Sequence, residues 1–208
     1  MDSSREHLNN LQEIRSLMER SSSFISLSGF SGIIAGIMGL LMAYMINARL
    51  GVYLSYGNIV RATPQERQEQ IIFTLILSVI VLTITFASTI FFTTRKAKKN
   101  GLTVWGVPAK NLLINLFIPL ISGGIFCLFL LIHYFDFVVI PSMLIFYGFA
   151  LLNAGKFTLN EIRWLGISEI VLGLLALLFL DYALLFWAIG FGIMNIIYGT
   201  VMYFRYER

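Results

Sequence analysis

Six stretches of mostly apolar residues follow one another along the chain, separated by shorter polar or charged connections. A helix that crosses a bilayer needs roughly 20 such residues, and these stretches approach that length, although the fourth and fifth are short. The pattern therefore predicts an all-α integral membrane protein with six transmembrane helices. The predicted helices are Phe24 to Ile46, Ile71 to Phe92, Leu112 to Ile132, Phe137 to Leu152, Trp164 to Leu180 and Tyr182 to Phe204.

The segment before the first helix has a different pattern. Leu8, Leu11, Ile14 and Leu17 recur every three to four residues and share one face of a helix. The segment has one more acidic than basic residue, whereas helices that bind anionic lipid are usually basic. We therefore predict a cytoplasmic amphipathic helix in residues 1–23 and a six-helix bundle in residues 24–208. Residues 4–20 are expected to pack on the bundle, or to bind a protein partner or a second copy of the chain.

Composition agrees with a bilayer as the main partner. Apolar residues make up 58% of the chain and charged residues 12%, and the mean hydropathy is +0.82. A soluble domain of this size could not bury so much apolar surface. The net charge of +4 is compatible with binding to nucleic acid, but the positions of the basic residues along the chain explain this charge better.

Basic residues favour the cytoplasmic ends of membrane helices. With the N-terminus inside, twelve of the fifteen Lys and Arg residues lie in cytoplasmic segments. This predicts a protein of the inner, cytoplasmic membrane with both termini cytoplasmic, and no nucleic-acid partner. The run RKAKK at 95–99 is expected to be a loop that sets this topology, or a site for anionic lipid headgroups.

A second local signal marks the start of the second helix. The segment TPQERQEQ begins with Thr63 as the expected cap, followed by Pro64 at the first helical position and Glu66 three residues after the cap. This spacing is that of a capping box.

Two helices resemble each other in sequence. SGIIAGIMGLL (31–41) aligns with SEIVLGLLALL (168–178) without a gap, placing Gly36 on Gly173. We interpret the bundle as three helical hairpins, 1–2, 3–4 and 5–6, that enter the membrane in the same sense. Small residues spaced by four allow close helix packing in lipid, so helix one is predicted to lie within the bundle. The expected packing positions are Gly32, Gly36, Gly39 and Gly173.

The glycine-rich hairpin LGISEIVLGLLALLFLDYALLFWAIGFGIMNIIYG, with its tight turn, resembles small six-helix bacterial membrane proteins of the HdeD acid-resistance type. The likeness covers mainly residues 112–204 and includes no diagnostic motif. The long arm before the first helix and the 47–70 connection depart from that pattern. The resemblance implies a stress-related or regulatory role in a bacterial inner membrane and transfers no functional residue.

Glu169 is the most unusual residue of the predicted bundle, because it lies within the fifth apolar stretch. A carboxylate in a bilayer costs on the order of 2–3 kcal/mol even on the mildest scale, so we expect it to face the bundle interior. Depth arguments place three polar residues at a similar level. The predicted intramembrane polar cluster is Glu169, Asn115, Asn195 and Tyr198. It could be a hydrogen-bonded clamp between helices, a ligand or proton site, or a partner site.

Helices three and four contain Pro119 and Pro141, which predict either simple kinks or interrupted helices that line a cavity. His133 and Asp136 offer two metal ligands and no third, so no metal site is predicted. The chain has no phosphate-binding loop motif, no GxSxG motif of hydrolases and no dinucleotide-binding motif. No enzyme activity and no cofactor are therefore expected. The first functional hypothesis is a non-enzymatic regulatory or stress-related protein that acts through protein partners. The alternative is a small-solute or proton-coupled channel or carrier that uses Glu169.

Overall fold

A computed structural model describes residues 28–50, 63–99 and 106–206 of the chain, and every regular element within these ranges is helical. The predicted helix of residues 4–20 lies outside the described residues, as does half of the 47–70 connection, residues 51–62. The long helices are α1 (Gly29–Leu50), α2 (Pro64–Lys99), α3 (Val107–Ile132), α4 (Asp136–Ala154) and α5 (Asn160–Leu178).

The chain then continues through a segment of mixed helical types. A 3₁₀ turn at Leu180–Tyr182 leads into α6 (Ala183–Trp187), a π-helical stretch (Ala188–Met194) and α7 (Asn195–Tyr206). We call the whole run Leu180–Tyr206 the C-terminal segment, and Ala188–Met194 the π segment.

Five helices within the described ranges are long and apolar enough to cross a membrane, namely α1 to α4 and the C-terminal segment. They indicate a multi-pass membrane protein. Helix α5 is as long as α4, at 19 residues, but it carries Glu161, Arg163 and Glu169. Because of these three charges, α5 is not among the five helices above.

The capping box at the start of α2 is confirmed. The backbone N–H of Thr63 donates to Glu66 Oε2 at 2.9 Å, and the N–H of Glu66 donates to Thr63 Oγ1 at 3.3 Å. The helix therefore begins seven residues before the apolar stretch and extends beyond its other end. At 36 residues it is about 54 Å long, against about 30 Å for the hydrocarbon core of a bilayer.

The prediction that RKAKK at 95–99 is a loop is wrong, because α2 remains helical to Lys99. Hydropathy marks where the chain leaves the apolar layer, whereas a helix ends where a breaker occurs. Residues 93–99 contain neither Gly nor Pro, and Lys, Arg and Ala are strong helix formers. The basic residues therefore continue the helix past its apolar part.

Helices α4 and α5 pack extensively and run antiparallel. Gly155 approaches Arg163 at one end, Gly148 faces Gly166, and Gly173 lies against the backbone of Ile145 nearer the other end. At each of these glycines a Cβ atom would come too close to an atom of the opposite helix. The absence of a side chain is what allows the two backbones to approach.

Helix α1 packs in the same antiparallel way on the C-terminal segment. Gly29 and Gly32 lie against Gly199, and Gly36 and Gly39 lie against the backbone of the π segment. Gly36 and Gly173, which the sequence alignment pairs, both pack on a main-chain oxygen and on an isoleucine four residues later. All four glycines singled out in the sequence lie at such contacts.

Packing between the predicted hairpins is as important as packing within them. The most extensive contacts join α4 to α5, α3 to α4, and α1 to the C-terminal segment. Pro119 and Pro141 do not interrupt their helices, since α3 and α4 are continuous through them. The irregular backbone occurs instead in the π segment, where the sequence contains no proline.

Candidate functional site

Glu169 occupies the middle of α5, nine residues from each end and thus about 13 Å from either terminus of the helix. Its side chain is fully buried, with 0% exposure. The buried residues of α5 recur at helical spacing and form a single face: Ile162, Leu165, Gly166, Glu169, Gly173 and Ala176. The same periodicity that places the apolar residues in the bundle therefore turns the carboxyl inward, as predicted.

Neither carboxyl oxygen of Glu169 has a hydrogen-bond partner among the described residues. The carboxyl lies against Gly190 of the π segment and close to Leu144 of α4. A Cβ atom at position 190 would collide with Glu169 Oε2 and with the Leu144 side chain. Glycine at this position therefore provides the space that the carboxyl fills.

The π segment lies against this carboxyl at Gly190, and carbonyl oxygens of its backbone accept hydrogen bonds from a side chain. A π turn replaces the i to i−4 hydrogen bond by a wider one and often occurs at functional sites. The side-chain amide of Asn195 donates to the carbonyl oxygens of Gly190 at 3.2 Å and Phe191 at 3.3 Å. Asn195 thus stabilises the irregular backbone directly beside Glu169.

Tyr147 of α4 links the helices around this position. Its hydroxyl donates to Asn195 Oδ1 at 3.2 Å, and its ring stacks on Phe191 with 4.6 Å between centroids. Phe191 in turn packs on Trp187, 5.0 Å away.

The predicted hydrogen bond from Asn115, Asn195 or Tyr198 to Glu169 is not formed among the described residues. Asn115 donates to the carbonyl oxygen of Asn111 in its own helix, at 2.8 Å. Asn195 lies beside Gly190, but its amide group is used by the π segment and by Tyr147. Helix depth places residues at one level, but it does not give the direction in which each side chain points.

Tyr198 has a different neighbourhood from the one predicted. It packs, together with Tyr147, against a group of buried apolar residues formed by Leu151, Ile162 and Leu165. Ile162 and Leu165 belong to the first two turns of α5. Tyr198 therefore lies nearer the start of that helix than Glu169 does.

Sequence reasoning missed Tyr147 and Gly190. Tyr147 was one aromatic residue in an apolar stretch, and nothing in its spacing distinguished it from a packing residue. Gly190 and Gly192 in AIGFGIM are a weak signal for close approach, but they do not identify the carboxyl as the neighbour. Both roles follow from the way α4, α5 and the C-terminal segment meet.

A polar group at one end of the bundle is fully paired. Arg67 of α2 donates to Asp136 through Nε at 2.5 Å and through a terminal nitrogen at 2.6 Å, and it also donates to the Leu131 carbonyl oxygen. Its guanidinium lies over the Tyr134 ring, 4.1 Å from the centroid. Asp136 is therefore engaged by Arg67, and no group of three metal-ligating residues occurs in the described ranges.

A second charged group lies at the opposite end. Glu161 Oε1 accepts hydrogen bonds from Arg205 at 2.7 Å and from the Tyr206 hydroxyl at 3.1 Å. The other oxygen, Glu161 Oε2, is buried and has no partner among the described residues. Arg205 is 65% exposed, so this group connects the interior of the bundle with its surface.

These features define a multi-pass helical membrane protein with a buried carboxyl that has no hydrogen-bond partner among the described residues. No protein-family model, curated protein or solved structure matches the chain. The resemblance to the HdeD type stays a prediction, and the residues themselves have to support any functional proposal.

Proposed function

We propose that the chain crosses a bacterial inner membrane six times, with both termini in the cytoplasm. Besides the five apolar helices, the proposal counts α5 as a crossing, the fifth along the chain. Its antiparallel packing on α4 supports this assignment. The contact of Gly29 with Gly199 and Tyr203 supports placing the start of α1 and the end of α7 on one side. That end of the bundle also holds most of the basic residues, as cytoplasmic ends do.

We further propose that the protein works through reversible protonation of Glu169, as a proton-coupled carrier or channel for a small solute. The observation that supports this function is the fully buried carboxyl without a hydrogen-bond partner among the described residues. Leaving a buried polar group unpaired costs about 1–3 kcal/mol, and an ionised group costs more. A carboxyl retained at that cost at the centre of a bundle is a functional candidate.

The surroundings of Glu169 suit a group that gains and loses a proton. When protonated it is neutral and suits its position against Gly190, a glycine that Leu144 also approaches. When ionised it requires donors, and the amide group of Asn195, beside Gly190, is engaged by the carbonyl oxygens of the π segment. A change of protonation would therefore favour a different arrangement of α4, α5 and the π segment.

The first hypothesis from the sequence, a regulatory or stress-related role through protein partners, depends on residues 4–20. No observation within the described ranges favours it over the proton-linked role. Both proposals are non-enzymatic and require no cofactor.

Infrared spectroscopy of the protein in lipid bilayers tests the function directly. We expect a protonated-carboxyl band that titrates between about pH 5 and about pH 9, where buried glutamates have been found to ionise. Glu169→Gln should abolish the band, and Glu69→Gln, at an exposed position of α2, should leave it unchanged. A spectrum without any band that depends on Glu169 would overturn the proposal.

Reporter fusions test the topology. Reporters placed after Arg208 and near Lys98 should both give a cytoplasmic signal, because the basic residues then lie inside. An external signal from either position would refute the six-helix arrangement. Deletion of residues 4–20 tests the partner hypothesis, which fails if every native association survives.

A further inference from the structure

Contacts between helix ends define one end of the bundle, which we call the basic end. Phe30 at the start of α1 stacks on Phe92 of α2, with 5.8 Å between ring centroids, and meets the ring of Tyr203 of α7 at 5.0 Å. Arg205 of α7 donates to Glu161 in the first turn of α5. The starts of α1 and α5 therefore lie at the same end as the last turns of α2 and α7.

Charge is distributed unevenly between the basic end and the opposite end. The end of α4 and the start of α3 also belong to the basic end, because α4 runs antiparallel to both α5 and α3. Eight of the ten Lys and Arg residues in the described ranges lie at the basic end, and half of these eight are within residues 95–99. Of the acidic residues in those ranges, one lies at the basic end and four lie at the opposite end. The basic end therefore carries a strong positive charge.

The last turns of α2 direct part of this charge away from the protein. Thr93 and Ala97, four residues apart, are buried, whereas Arg95, Lys98 and Lys99 are exposed. At about 100° per residue, the three basic residues share the side of the helix that faces away from Ala97. None of the three forms an ion pair within the ranges that the structure describes. This side of the helix therefore presents three positive charges to the surroundings.

The depth of these residues matches the headgroup layer of a bilayer. The apolar part of α2 ends at Phe92, and residues 95–99 follow it by about 4–11 Å along the helix axis. A headgroup layer is roughly 5–8 Å thick on each side of a membrane. Trp164, which follows Arg163 at the start of α5, is 72% exposed, as expected for tryptophan at a membrane interface.

We propose that the basic end is a binding surface for anionic phospholipid headgroups, centred on Arg95, Lys98 and Lys99. Clusters of Lys and Arg that directly follow a membrane helix attract anionic lipids of the cytoplasmic leaflet. Charge-assisted hydrogen bonds from guanidinium and ammonium groups to phosphate oxygens add to this attraction. The surface faces the cytoplasmic leaflet in the proposed topology, and its binding does not require protonation of Glu169.

Lipid selectivity measured by electron spin resonance tests this surface. The full chain is reconstituted in phosphatidylcholine bilayers with a trace of spin-labelled phosphatidylglycerol or spin-labelled phosphatidylcholine. The fraction of label immobilised at the protein gives a relative association constant for each lipid. We expect this constant to be about threefold higher for phosphatidylglycerol at low salt. The preference should nearly disappear in about 0.5 M NaCl, because salt screens exposed charges.

Variants locate the preference on α2. The combined change of Arg95→Gln, Lys98→Gln and Lys99→Gln should remove most of it, and Lys98→Gln alone should lower it. Arg49→Gln, which removes one exposed charge at the opposite end, is the matched control and should leave the preference unchanged. A preference that survives in the triple variant would refute the assignment to α2.

Two results with the wild-type protein would overturn the proposal without any variant. Equal association of the two lipids would mean that the basic residues orient the chain and do not bind anionic lipid. A preference for phosphatidylglycerol that does not change with salt would exclude an electrostatic surface. Both results leave the proposed role of Glu169 unaffected, because the infrared experiment tests that role separately.

Discussion

Several hydroxyls of α2 and the carboxyl of Glu169 in α5 differ in how they are satisfied. In α2 the hydroxyls of Ser78, Thr83 and Thr89 donate to the carbonyl oxygen four residues earlier, at 2.7 to 2.8 Å. Each group is satisfied within its own helix and can face any surroundings. Glu169 of α5 has no partner among the described residues.

The difference shows what a polar residue costs in an apolar helix. Serine and threonine can bond to their own backbone, which allows α2 to be exposed along most of its length. The buried hydroxyl of Thr93 is an exception, because it has no partner among the described residues. A glutamate carboxylate is an acceptor only and cannot bond to those carbonyl oxygens. Its burial leaves a cost that packing does not remove, which is why we assign it a function.

The largest effect should come from filling the space beside the carboxyl. Gly190→Val would place a side chain on Glu169 Oε2 and Leu144, and overpacking of this kind costs about 1–3 kcal/mol. Gly124→Val is the matched control, because nothing lies within 4 Å of a Cβ built there. Chemical unfolding in mixed micelles measures both, and equal stabilities would refute the described packing around position 190.

Removing the carboxyl should stabilise the bundle. Glu169→Met keeps a similar volume and eliminates the two unpaired oxygens, so we expect the free energy of unfolding to rise by about 1–2 kcal/mol. The proton-linked band should disappear in the same variant. A loss of stability above about 1 kcal/mol would mean that Glu169 has a partner, and the comparison with α2 would no longer hold.

The ion pairs at the two ends of the bundle should differ in strength. The side chains of Arg67 and Asp136 are each 17% exposed, and a double-mutant cycle should give a coupling of about 1 kcal/mol. Arg205 is 65% exposed, so its coupling to Glu161 should be only a few tenths of that, as for surface pairs. Equal couplings would contradict the role of burial in this difference.

The smallest effect is expected in α2. Ser78→Ala removes a hydroxyl that bonds only to the Thr74 carbonyl oxygen, so the free energy of unfolding should change by no more than about 0.5 kcal/mol. The measurement is the same unfolding experiment as for Glu169→Met. A loss of several times that size would show that the hydroxyl of Ser78 has another role.

Several local features could be predicted because their causes are local. The capping box of Thr63 and Glu66 depends on residues three apart, and the order and approximate length of the apolar helices depend on composition. The inward direction of Glu169 follows from helical periodicity, since it shares a face with Leu165 and Gly173. The helix ends were less accurate, because caps and breakers set them and hydropathy does not.

The sequence by itself determined that the protein is helical and multi-pass, and that α5 turns a carboxyl inward. Only the tertiary structure decided what that carboxyl meets. The rotation and register of α4 and the C-terminal segment bring Gly190 to Glu169 and Tyr147 to Asn195, and leave Asn115 bonded within its own helix. Those relations depend on many glycine contacts at once, and neither the spacing along one helix nor its depth in the membrane contains them.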